Sequence, residues 1–174
     1  GKKLFPATQV KNLIASMVRS GALSGDKAGA WQKKLDQEKV VDETRRKAEA
    51  GDVAAMRRLV GMYRKGSHGV TKDPAQCFKW TKRAADLDYP PAIADLAGLY
   101  FHGEGVRTDH SRPLVLLTQA ATMGSAHACY VLASAYDDKK GPHLPKDREC
   151  ARYWAKKALD PGHAKFPITV EDTA

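Results

Sequence analysis

The residues best able to hold a metal or attack a substrate are six histidines, His68, His102, His110, His127, His143 and His163, and three cysteines, Cys77, Cys129 and Cys150. A transition-metal centre needs three or four such ligands converging, commonly announced by two ligands one helical turn apart or by a C-x-x-C pair. Neither H-E-x-x-H nor C-x-x-C occurs. The Gly103-Glu104-Gly105 stretch has the form of a phosphate loop, but no strand precedes it and no G-K-[ST] follows, so we read it as a turn between helices. Asp137-Asp138 could act as a carboxylate pair, yet Lys139-Lys140 beside it indicates a solvated helix end. No G-x-S-x-G nucleophile turn is present. We therefore expect no catalytic set, no cofactor and no metal, and no enzyme activity from this segment. The remaining chemistry is that of contact: arginines, lysines and aromatics able to grip another macromolecule.

Those side chains need a framework, and the sequence supplies one by repetition. Ala55 to Tyr63, Ala92 to Tyr100 and Ala128 to Tyr136 each read A-x-x-x-L-small-x-x-Y, first 37 and then 36 residues apart. Four-residue spacing of alanine, leucine and tyrosine forms one stripe along a helix. Behind each stripe comes a loop containing Gly66, Gly103 or Gly141, where a helix can end in a left-handed turn. Asp73, Asp109 and Asp147 follow as expected N-caps of a second helix, with Pro74 suited to its first turn. In each second helix a large apolar residue precedes an alanine by four: Trp80 with Ala84, Leu116 with Ala120, Trp154 with Ala158. One such helix pair cannot bury its apolar faces alone, so pairs must stack. The expected fold is all-α, an α-solenoid of about three antiparallel helix pairs.

Composition agrees with this framework. The 174 residues are 43% hydrophobic and 28% charged, an ordinary globular mixture. No apolar run approaches the ~20 residues of a membrane-spanning helix, so no membrane partner is expected. The net charge is +9, spread along the chain rather than gathered in a stripe, with 11 basic and 6 acidic residues in the first fifty. Dispersed charge argues against a dedicated nucleic-acid footprint and favours acidic protein partners. A basic nucleic-acid-associated module remains an alternative reading. The odd cysteine count suits a reducing compartment, and a cytoplasmic location is favoured. Gly1 stands where a methionine would open a native chain, so sequence before it is expected.

The motif A-x-x-x-L-G-x-x-Y, then G-x-G-V, then Asp, then W/L-x-x-x-A-A, resembles the Sel-one-like repeat, a relative of the tetratricopeptide repeat. Val60, Ala97 and Ala133 depart from the glycine after the leucine, and Leu144 replaces the loop valine kept at Val70 and Val106. The resemblance implies a superhelix whose first helices line a concave face, and an adaptor that binds a protein or peptide there. By analogy the lining is Arg57, Gly61, Arg64 and Lys65, then Ala94, Gly98, Phe101 and His102, then Tyr130, Ser134, Asp137 and Asp138. Such a face runs from basic through aromatic to acidic. It suits a peptide with an acidic segment near Arg57, Arg64 and Lys65, and an apolar part near Phe101 and Tyr130.

Residues 44–160 carry the repeats. Residues 1–43 read as an N-terminal helical cap, with one helix from just past Pro6 and a second from about Lys27 to Glu49, and residues 161–174 as a C-terminal tail that either folds back through Phe166 and Ile168 as a cap or frays. The L-x-P-x-x-x-V-K-N-L-I run from Leu4 to Ile14 also resembles the closing segment of a U-box. That resemblance implies an alternative: the substrate-recognition part of a U-box-type ubiquitin ligase.

Overall fold

The computed structural model describes residues 7–137 and 146–160. Leu4 to Pro6, Asp138, Gly141, Leu144, the remaining histidines His143 and His163, and the tail from 161 onward lie outside the described residues. Eight helices follow in order: α1 Ala7–Arg19, α2 Asp26–Glu49, α3 Val53–Lys65, α4 Pro74–Ala85, α5 Pro90–His102, α6 Arg112–Thr122, α7 Ala126–Asp137 and α8 Arg148–Ala158. The described residues contain no strand. The most extensive packing is within the pairs α3–α4, α5–α6 and α7–α8, followed by the joints α2–α3, α4–α5 and α6–α7. This is a linear stack of helix hairpins, an α-solenoid.

Each first helix (α3, α5, α7) buries the repeated stripe. Leu59 and Leu132 are fully buried, and Ala55, Ala92, Ala128, Leu96, Tyr63 and Tyr100 are nearly so. The loop after each stripe closes in one way: the carbonyl of the stripe tyrosine accepts the amide of the following aspartate, Asp73 to Tyr63 at 3.1 Å, Asp109 to Tyr100 at 2.9 Å and Asp147 to Tyr136 at 3.2 Å. Gly66 and Gly103 end α3 and α5 with φ of 66° and 70°, where a residue with a side chain is strained. Gly105, also at positive φ, sets the loop after α5 on the start of α4, and a Cβ there would collide with the Pro74 carbonyl. Consecutive hairpins are thereby in backbone contact.

Two of the three expected caps form. The Asp73 carboxylate accepts the Gln76 amide at 3.0 Å, and that of Asp147 accepts the amides of Glu149 and Cys150 at 2.9 and 3.0 Å. Asp109 differs. Pro113, not a residue directly after the aspartate, fixes the first turn of α6, so the helix starts at Arg112 and its cap position is Ser111. Asp109 instead accepts the Ser111 amide and hydroxyl at 3.0 and 2.6 Å and pairs with Arg112 at 2.9 Å. Two of the first helices, α3 and α7, have caps of their own, which the repeat pattern alone does not disclose: Asp52 accepts the Ala55 amide, and the buried Ser125 hydroxyl accepts that of Ala128. In α6 the deeply buried apolar residue is Leu117, one position beyond Leu116, which is half-buried.

At the N-terminal side, Val41, Thr44 and Ala48 of α2 are buried against α3. α1 rests more lightly on α2, with Lys11 paired to Glu38 at 3.0 Å. Its apolar side chains divide: Ile14 and Val18 are half-buried, whereas Val10, Leu13 and Met17 stay exposed. At the other end, positions that the next hairpin covers in earlier units are open. Tyr130 is 61% exposed where its counterpart Ala94 is buried, and Leu159 is 85% exposed where Ala85 and Ala121 are buried.

Candidate functional site

Between consecutive first helices the stack leaves clefts. The first, about 720 Å³, lies between α3 and α5. Its α3 wall carries Arg57, Arg58, Gly61, Arg64 and Lys65, the following loop adds His68 and Lys72, and α5 contributes Ala92 and Asp95. The second, about 690 Å³, lies between α5 and α7. Ala94, Gly98, Phe101 and His102 of α5 face His127, Val131, Leu132 and Ala135 of α7, with Pro113, Leu114 and Leu117 of α6 as an apolar floor. Arg64 and Asp95 belong to both clefts, so the two join into one groove crossing the first helices.

The structure brings together Arg57, Arg64 and Lys65 in the first cleft, and Phe101 and His102 in the second. Tyr130 and Asp137, both exposed, lie outside both linings, and Asp138 is outside the described residues. The reason is the stacking. The positions two before the stripe leucine and five after it face the next first helix, and within the described residues none follows α7. The opposite walls escaped the sequence reading because it assigned each first helix a single binding face. Each helix also looks back toward the preceding unit, through the position one before the leucine: Asp95 and Val131. The same 36-residue offset carries that signal.

Arg57 is oriented by Tyr89. It donates to the Tyr89 hydroxyl at 3.2 Å, and its guanidinium carbon sits 5.6 Å from that ring's centroid. Phe101 is set edge-on between His102 and His110, with ring centroids 4.9 and 5.3 Å away. Gly61 and Gly98 lie inside helices, yet a Cβ on either would meet nothing within 4 Å. Mid-helix glycine costs roughly 0.5–1 kcal/mol relative to alanine, and here no close packing requires it. What these glycines provide is an unobstructed groove wall.

Covalent and metal chemistry find little footing. Among the described residues no group of three or more histidine, cysteine or acidic side chains could hold a metal ion. Burial pushes the Cys77 and Cys129 thiols above their ordinary range, away from the reactive thiolate. The neighbouring Asp147 carboxylate does the same for Cys150. No described helix is long and apolar enough to cross a membrane.

Stacked hairpins of this repeat length define the class: a helical-repeat protein. The Sel1 repeat family matches residues 53–89, 90–125 and 126–163, and the chain belongs to that family. Sel1 repeat proteins generally act as protein-interaction adaptors and are typically non-enzymatic. A Sel1 repeat protein from Oxalobacter formigenes superposes with a TM-score of 0.59 at 30% identity, covering 68% of this chain and 88% of that one. A protective antigen of uropathogenic Escherichia coli displaying an SLR fold superposes at 0.62 with 26% identity, over 86% of this chain and 32% of that one. Chitin synthase regulatory factor 3 of Schizosaccharomyces pombe is 30% identical over 126 residues. That stretch is 71% of this chain and 13% of the yeast protein's length.

Proposed function

We propose that this chain is a binding scaffold that holds an extended or helical peptide of a partner protein in the groove over α3, α5 and α7. An acidic part of the peptide meets Arg57, Arg64 and Lys65, and an apolar part meets Phe101 and the floor beside it. Tyr130 and Asp137, on the open side of α7, meet partner residues that run past the second cleft. The supporting observation is the pair of glycines lining the groove, Gly61 and Gly98, each a helix-weakening residue with vacant space before it.

Two variants test the reading. Arg57→Glu with Arg64→Glu inverts the charge of the first cleft. Gly98→Leu fills the second while replacing a poor helix former with a good one, so the fold is kept or strengthened. Partners captured by the wild-type chain are expected to be lost from both variants while the helical circular dichroism is unchanged. Retention of the same partners at the same affinity by both variants overturns the groove as the binding site.

A further inference from the structure

The α3–α5 cleft is more cationic than recognition of a carboxylate requires. Arg57, Arg58, Arg64, Lys65 and Lys72 wall it, against the single carboxylate of Asp95. An aspartate or glutamate side chain brings one negative charge and two oxygens. A phosphorylated side chain brings about −1.5 to −2 charges and three strong acceptor oxygens. Three of the five cations are arginines, whose planar forks meet phosphate oxygens two at a time. Arg57 is already oriented by the Tyr89 hydroxyl and ring, so little side-chain freedom remains to be lost on binding.

The cations also stop. Past Arg64 the groove wall becomes Phe101, Leu114, Leu117 and Val131. A nucleic-acid strand carries a phosphate at every nucleotide and would need the basic wall to continue. This groove matches a compact anion followed by an apolar group. Directly packed helix axes lie about 8–10 Å apart, the first helices are held further apart by the clefts, and an extended chain advances about 3.3 Å per residue, so the two clefts are at least about three residues apart along a bound peptide.

Building on the groove reading above, we propose that the α3–α5 cleft receives a phosphorylated serine or threonine of the partner peptide, while an apolar side chain three or more residues away enters the α5–α7 cleft. Phosphorylation of the partner then switches capture on.

The test uses the full chain and three fluorescent pools of peptides, degenerate except for a central residue and leucines three to five positions to either side. The central residue is phosphoserine, glutamate or serine. Fluorescence anisotropy is expected to show the phosphoserine pool binding roughly tenfold or more tighter than the glutamate pool, and the serine pool weakest. Arg64→Glu with Lys65→Glu, both exposed residues, is expected to erase the preference with helical content unchanged. Arg64→Lys keeps the charge, loses the fork and narrows the ratio of phosphoserine to glutamate binding. Equal binding of the glutamate and phosphoserine pools, both lost in the double variant, overturns the phosphate inference and leaves the groove reading standing. Binding of no pool above the double-variant level also overturns it, and the groove is then judged by Gly98→Leu alone. Tighter binding of a random single-stranded oligonucleotide than of the phosphoserine pool, lost in the same variant, overturns it in favour of nucleic acid.

Discussion

Asp147 and Asp109 show how one residue type does two jobs at the same place in the repeat. The Cys150 amide first, then the Cys150 thiol and the Glu149 amide, hold the Asp147 carboxyl below the ordinary carboxylate range. The Ser111 hydroxyl and amide, then Arg112, do so for Asp109. A carboxyl whose folded value is depressed contributes stability that is fully present above its unfolded value and is lost as the pH falls through the folded one. Asp147→Asn keeps a side chain able to cap α8 but removes the charge. The variant is expected to unfold at lower urea concentration than wild type at neutral pH, and the gap should close in acid as the wild-type carboxyl is protonated. A gap that persists at low pH would mean that the charge is not what stabilises the start of α8.

At the scale of the helix, the alanine–leucine–tyrosine stripe accounts for most of the core. Leu59, Leu96 and Leu132 belong to the one buried core, with exposures of 0%, 6% and 0%. Truncation to alanine leaves a cavity that the neighbours only partly refill, so each variant is expected to lose about 2–5 kcal/mol in urea unfolding. A loss below about 0.5 kcal/mol at Leu59 or Leu132 would contradict their burial. These elements were legible because burial repeats with the helix period: alanine, leucine and tyrosine must share a face wherever they stand four apart. The start of α6 was less legible, since Pro113 overrode the aspartate that the repeat offered as a cap. The groove was half legible. Arg57, Arg64, Lys65, Phe101 and His102 follow from the forward face of each first helix. His127, Val131 and Ala135 lie on the face of α7 that looks back at α5; the 36-residue offset marks the equivalent positions, but which of them look back is set by packing between units.

Over the whole molecule, stability passes from hairpin to hairpin, because each is buried largely by its neighbours. The cysteines sample that transmission. Cys77 and Cys129 are buried and Cys150 is half-buried. A thiol reagent is expected to modify Cys150 first in the native chain, and Cys77 and Cys129 only at the rate at which the array opens. Prompt modification of Cys129 without loss of helical signal would show that the α7–α8 hairpin frays independently. The seating of Gly105 on Pro74 has a consequence at the same scale. It is a hard stop between two turns of a coil, and it sets the pitch at which the cationic and apolar clefts follow each other. A bulkier residue at that stop would tilt one hairpin on the next and alter the separation of the clefts. Which ligand lengths fit would change, although no atom of the groove had been replaced.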